Sequence, residues 1–90
     1  MTSITEVNIK NVDVPEDFIC PISQILMEDP VIADDGFTYE RKAIAKWFNI
    51  KKTSPMTNEP IGDERLVPNR TIKSQIIKFK EENKLIIIND

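Results

Sequence analysis

The stretch "CPIS" (20–23) has a counterpart further along the chain, "SPMT" (54–57). Each has the outline of a Cys-Pro-X-Cys knuckle, a short turn that presents two sulfurs to a zinc ion. Three of the four ligand positions nevertheless hold hydroxyls: Ser23, Ser54 and Thr57. Structural zinc takes four ligands, chiefly Cys and His, and the chain has one Cys and no His. No Asp-rich loop with the spacing of a calcium-binding EF-hand is present either. The two stretches keep the shape of a metal site without its ligands, so neither a metal nor any other cofactor is expected.

Working outward, the 90 residues make one small domain. A chain of this length buries only about 60–65% of its unfolded surface, which leaves stability thin without a staple. A single Cys cannot close a disulfide within the chain, which points to a reduced cytoplasmic or nuclear setting, or a host cytosol for a secreted effector. With 12 basic against 15 acidic residues the net charge is −3, which argues against general nucleic-acid binding. The clusters "IKK" (50–52) and "KFK" (78–80) read as solvated helix ends. A helix contacting nucleic acid through Lys78, Lys80 and Lys84 is the rival they would support, and the acidic balance speaks against it. No apolar run approaches the ~20 residues of a membrane span, and "MTSITEVNIKN" lacks the build of a signal peptide.

Residues 1–13 are polar and without period, as in a flexible arm. "DPVIADDGFTYE" (29–40) reads as a β-hairpin, with Val31–Ala33 and Phe37–Tyr39 as strands and Asp34-Asp35-Gly36 as the turn. A helix follows over about 40–50, where Ala43, Ile44, Trp47 and Phe48 form an apolar stripe. Glu40 is expected in its first turn and Lys51 and Lys52 at its end, matching the helix dipole. Pro55, Pro60, Gly62 and Pro68 enforce an ordered loop, with a short strand at Leu66-Val67. A second helix runs over about 71–83, capped by Asn69 and buried through Ile72, Ile76 and Phe79. The tail 84–90 carries the apolar "LIIIND", which leaves homodimerisation open. No internal repeat is evident.

The chemistry-bearing side chains in the loops admit two readings. Ser23, Ser54 and Thr57 can both donate and accept hydrogen bonds, and Asp29, Asp35, Glu40, Arg41 and Asn69 offer charged or amide partners. Fully satisfied, such a network fixes one conformation. The same residue types are also ordinary in turns. Ile22, Trp47 and Pro55 could form a shallow apolar patch with an aromatic anchor, as protein-binding hot spots do. Trp47 and Ile22 could equally be core. Enzyme chemistry carried by the chain itself is not expected: there is no His to act as base, and Cys20, in an apolar context, reads as a small buried hydrophobe.

"VPEDFICPISQILMEDPVIADDGFTYERKAIAKWF", "SPMTNEPI" and "LVPNRTIKSQI" resemble, in order and spacing, the U-box domain, the metal-free relative of the RING finger. The likeness covers about residues 14–83. It implies a small α+β RING-like fold: a short hairpin within a small sheet, a central helix, two ordered loops and a C-terminal helix. It also implies that hydrogen bonds and ion pairs replace the zincs, through Ser23, Asp35, Glu40, Arg41, Ser54, Thr57 and Asn69. Ile22, Trp47 and Pro55 then stand at the family's groove for a ubiquitin-conjugating enzyme, which favours surface over core for all three. The implied activity is that of an adaptor-type ubiquitin-protein ligase. Its partners are a conjugating enzyme carrying a ubiquitin thioester and a protein substrate, with neither nucleic acid nor membrane, and no catalytic residue of its own. Many relatives carry an Arg where this chain has Asn58, and some a larger apolar residue where it has Gln24. The first departure bears on catalytic strength and the second on choice of conjugating enzyme. A degenerate U-box that only docks or dimerises is the alternative.

Overall fold

A computed structural model of the chain describes residues 13–83. The arm expected over 1–13 (apart from Asp13) and the tail over 84–90, with Lys84, fall outside them. A 3-10 turn, Glu16–Phe18, opens the ordered region. Strands β1 (Pro30–Ile32) and β2 (Thr38–Glu40) then form the hairpin. Helix α1 (Arg41–Ile50), the two-residue strand β3 (Val67–Pro68) and helix α2 (Arg70–Asn83) complete the order. This is the small α+β architecture that the sequence implied.

The hairpin pairs Ile32 with Thr38 and Val31 with Tyr39, one position wider than the sequence reading. The loop widens because Gly36 takes the left-handed conformation (φ 85°) and its N–H bonds to the Ala33 carbonyl at 2.9 Å. Asp35 fixes the same bend by accepting the Phe37 N–H at 2.9 Å. On the other side of β1, Val31 pairs with Pro68 and Ile32 with Val67, giving an antiparallel sheet of order β2-β1-β3. β3 thus lies one residue beyond the expected Leu66-Val67. Pro68 is tolerated there because β3 is an edge strand, where a missing N–H costs the ladder little.

Side chains alternate across the sheet. Val31 and Tyr39 point inward and are fully buried, and β1 begins at the buried Pro30. They meet Ile44 and Phe48 from α1, Ile76 from α2, and Phe18, Cys20 and Met27 from the segment before the sheet. Phe18 and Phe79 close the far side edge-to-face, with ring centroids 5.6 Å apart. Asn69 caps α2 by accepting the Ile72 N–H at 3.1 Å. It also ties that helix to the sheet, its backbone N–H bonding to the Pro30 carbonyl and its Nδ2 to Thr38 Oγ1. Such a cap contributes about 1 kcal/mol.

α1 ends where the Lys51 N–H bonds to the Trp47 carbonyl. Lys52 Nζ donates to the Phe48 carbonyl at 2.8 Å, a cation on the negative end of the helix as expected. The helix start departs from the sequence reading. Glu40 precedes the first turn rather than lying within it, and no side chain caps the helix there. Its carboxylate is used elsewhere, as described next.

Candidate functional site: two braced loops and the groove beside them

Two loops emerge from the core, loop 1 over 19–26 and loop 2 over 53–60. They share one backbone. Each is closed at its stem by an isolated bridge, Ile19 to Leu26 and Thr53 to Pro60. Inside the stem the Cys20 N–H bonds to the Ile25 carbonyl at 3.0 Å, and the Ser54 N–H to the Glu59 carbonyl at 2.8 Å. Gln24 N–H then reaches the Cys20 carbonyl at 2.8 Å, as Asn58 N–H reaches the Ser54 carbonyl at 2.7 Å. Gln24 and Asn58 are also the two non-glycine residues with positive φ among those described, at 66° and 67°. Every pair is related by the same shift, since 54 − 20 and 58 − 24 both equal 34. The chain therefore contains a structural repeat, of which the sequence shows only the likeness of "CPIS" to "SPMT".

The loops differ in what occupies their centres. In loop 2, Ser54 is 1% exposed, and its Oγ accepts the N–H groups of Met56 (3.1 Å) and Thr57 (3.0 Å). The same hydroxyl donates to Asp35 Oδ2 at 2.7 Å, and the Tyr39 hydroxyl donates to that same oxygen at 2.6 Å. One carboxylate at the hairpin turn thereby holds loop 2 to the sheet. Burial pushes the Tyr39 phenol far above its usual range, and the hydrogen bond to Asp35 pushes it further. Loop 1 has Cys20 at the matching position, 0% exposed, with its Sγ accepting the Glu40 N–H at 3.3 Å. The Glu40 carboxylate accepts the N–H groups of Glu28 (2.7 Å) and Asp29 (3.2 Å). Asp29 returns two bonds to Arg41, its carbonyl accepting the backbone N–H and its carboxylate the guanidinium Nε at 2.8 Å. That ion pair is nearly half exposed and worth little by itself. The hairpin thus supplies both braces, Asp35 from its turn and Glu40 from the end of β2.

Of the residues named from sequence, Asp35, Glu40, Arg41, Ser54 and Asn69 make tertiary contacts of this kind. Thr57 is exposed and its Oγ1 accepts the Glu59 N–H at 3.2 Å, a local turn contact. Ser23 is exposed, and among the described residues the brace forms without its hydroxyl. Tyr39 and Cys20 enter as hydrogen-bonding members that sequence reasoning missed. An acidic residue four positions before a tyrosine across a tight turn was the available signal for Tyr39. Nothing in "FICP" marks the sulfur as an acceptor.

Beside the braces lies an open groove between loop 1 and α1. Ile22, Leu26, Ala43 and Trp47, all half-buried, line it, and the exposed Ile25 (63%) and Ile50 (79%) extend its apolar wall. Trp47 is neither core nor free: its indole N–H donates to the Thr53 carbonyl at 2.8 Å, tying α1 to the stem of loop 2. Its ring carries the Lys51 ammonium 5.6 Å from its centre. Pro55 is half-buried at the turn of loop 2, and does not line this groove. Gln24 is exposed and folds back, its Nε2 donating to the Pro21 carbonyl at 3.0 Å. Asn58 is exposed at the end of the loop 2 turn. Its identity suits its backbone, because Asn tolerates the left-handed region better than other non-glycine residues.

Two stiff loops braced by side-chain hydrogen bonds beside one helix define a RING-like domain. The chain belongs to the U-box domain family, whose pattern matches residues 14–85. Over 75 residues it is 51% identical to a probable bifunctional E2/E3 enzyme of Acanthamoeba polyphaga mimivirus, covering 83% of this chain and 6% of that protein. It is 52% identical over 66 residues to WD repeat, SAM and U-box domain-containing protein 1 of Danio rerio, covering 72% of this chain and 14% of that protein. The human protein of that name is 47% identical over 78 residues, with 86% and 16% covered. The chain thus spans a small part of the relatives it matches. Its fold is similar to the RING finger-like domain of Retinoblastoma Binding Protein-6, with a TM-score of 0.71 at 20% identity, covering 86% of this chain and 88% of that one.

Proposed function

We propose that this domain is an adaptor-type ubiquitin-protein ligase module. It docks a ubiquitin-conjugating enzyme on Ile22, Trp47 and Pro55, with Gln24 and Asn58 at the margin, and promotes transfer of ubiquitin to a substrate lysine. The observation that carries the reading is the position of Trp47, half-exposed at the groove yet anchored through its indole N–H to loop 2. That anchor makes a rigid aromatic wall, and rigid aromatic anchors lose little entropy when a partner binds. The names of relatives in the family support the same direction.

The mechanism follows from what the site lacks as well as what it has. Cys20, the chain's one thiol, is sealed in the core and engaged by the Glu40 N–H, so it is not offered to a thioester. Ubiquitin stays on the conjugating enzyme's own cysteine, and the domain acts by holding that enzyme and its cargo in a reactive orientation. Asn58, where many relatives have Arg, favours a second reading in which the domain docks partners without accelerating transfer. The left-handed backbone supplies a structural reason for Asn there, since Arg would carry about 1 kcal/mol of strain at that φ.

Autoubiquitination with a panel of purified conjugating enzymes tests the proposal. Transfer is expected with at least one of them, abolished by Ile22→Ala with the thermal melt retained, and largely kept by Cys20→Ser. Docking of a conjugating enzyme without transfer would establish the second reading instead.

A further inference from the structure

The segment 41–52, "RKAIAKWFNIKK", carries Arg41, Lys42, Lys46, Lys51 and Lys52 and no acidic residue, in a chain whose net charge is −3. The fold neutralises two of these cations. Arg41 pairs with Asp29 at 2.8 Å, and Lys52 pairs with Glu64 at 2.9 Å. Lys51 lies over the Trp47 ring. Lys42 and Lys46 remain exposed, make no ion pair among the described residues, and line the groove along its α1 wall. The facing wall is of opposite sign. Glu28 lines it, exposed, and although its backbone N–H is held by Glu40, its own carboxylate makes no hydrogen bond or ion pair among the described residues.

We infer that this two-signed rim selects the partner: Lys42 and Lys46 read acidic side chains on the docked ubiquitin-conjugating enzyme, and Glu28 reads a basic one across the groove. The inference rests on the proposed docking function and adds to it the electrostatic character of the preferred enzyme. The apolar floor sets whether a conjugating enzyme binds, and the rim sets which one and how fast. Charges at an interface rim act chiefly on association rate and on rejection of mismatched partners. Being exposed, they act within about 10 Å at 0.1 M salt, so their effect is erased as salt rises. The placement of the two lysines explains how this is possible in an acidic protein. They sit four apart on one helix face, so their fields add at the groove while the fifteen acidic residues lie outside the segment 41–52.

The test measures association rates of the intact chain with each purified conjugating enzyme in the panel, at low and high salt. The variants are Lys42→Glu/Lys46→Glu and Glu28→Lys, with Ile22→Ala as the floor control. For the enzyme that the wild type prefers, the double lysine reversal is expected to slow association about tenfold at low salt, the lower end of electrostatic steering, and to change little at high salt. The ranking of the panel is expected to shift toward enzymes with basic docking faces. Glu28→Lys is expected to move the ranking in the opposite sense. Unchanged rates and ranking, with Ile22→Ala still abolishing binding, would overturn the rim assignment while leaving the docking function standing. If the wild-type chain binds no enzyme in the panel at either salt, the docking function fails and takes the rim assignment with it.

Discussion

Loop 1 and loop 2 are the same backbone solved twice. Their hydrogen bonds, stem bridges and left-handed residues coincide under one shift along the chain. What differs is the chemistry at the centre. Ser54 is a hub with a donor and an acceptor in use, linked to a carboxylate and through it to a tyrosine. Cys20 is a weak acceptor inside an apolar core, and loop 1 is held mainly by the Glu40 carboxylate gripping backbone amides at 28 and 29. This loop shape needs its turn amides and stem satisfied, and is indifferent to which group does it. A metal ion is one solution to that requirement; a carboxylate delivered from either end of a hairpin is another.

The largest effect expected from breaking the symmetry is at Asp35. Asp35→Ala strands the Tyr39 and Ser54 hydroxyls together and should cost about 3 kcal/mol, read from denaturant unfolding. Amide exchange should quicken in loop 2 and spare loop 1; equal loosening of both loops would show that the braces are not separate.

Tyr39 gives a pH signature of the loop 2 brace. Its phenol is held protonated in the folded chain above the unfolded value of about 10, so its contribution is full below pH 10 and is lost as pH rises further. Above pH 10 the wild type should lose stability relative to Tyr39→Phe by about 1.4 kcal/mol per pH unit. Parallel curves for the two proteins would remove Tyr39 from the brace.

A smaller effect lies at the stems. Loop 1 has Ile19 where loop 2 has Thr53, whose Oγ1 is buried without a hydrogen-bond partner among the described residues. Thr53→Val removes that orphan at constant shape and should raise the melting midpoint, by about 1 kcal/mol in stability. The smallest effect separates the two left-handed positions. Gln24→Gly relieves a residue ill-suited to φ 66° and should gain about 0.5 kcal/mol more than Asn58→Gly, where Asn already fits. Equal gains would mean that backbone preference does not explain Asn58.

Much of this was legible beforehand where the signal is local. Asp-Gly marked the hairpin, the Ala43-Ile44-Trp47-Phe48 spacing marked α1, and Asn69 was marked as a cap that the Ile72 N–H then uses. Strand limits slipped by one residue because the Asp35 and Gly36 contacts that set the loop width lie beyond any propensity. The polar residues of the brace were recognisable as a set, but not their pairing. Asp35 meets Ser54 across 19 positions, and Glu40 reaches back to Glu28. Glu40 has two readings in the sequence, the helix dipole and the loop network, and the fold uses the one that closes loop 1.

The amino-acid order alone put hydroxyls at three of the four knuckle positions, marked helices and hairpin by period and turn residues, and carried a family pattern along most of the chain. Each of those is a statement about residue identity or spacing, which folding cannot change. The shared hydrogen bonding of the two loops, the sulfur that accepts a hydrogen bond, the anchored half-exposed tryptophan and the two-signed groove came only with the tertiary structure. They depend on distances between segments far apart in sequence, and those distances are set when sheet and helices pack around one small core.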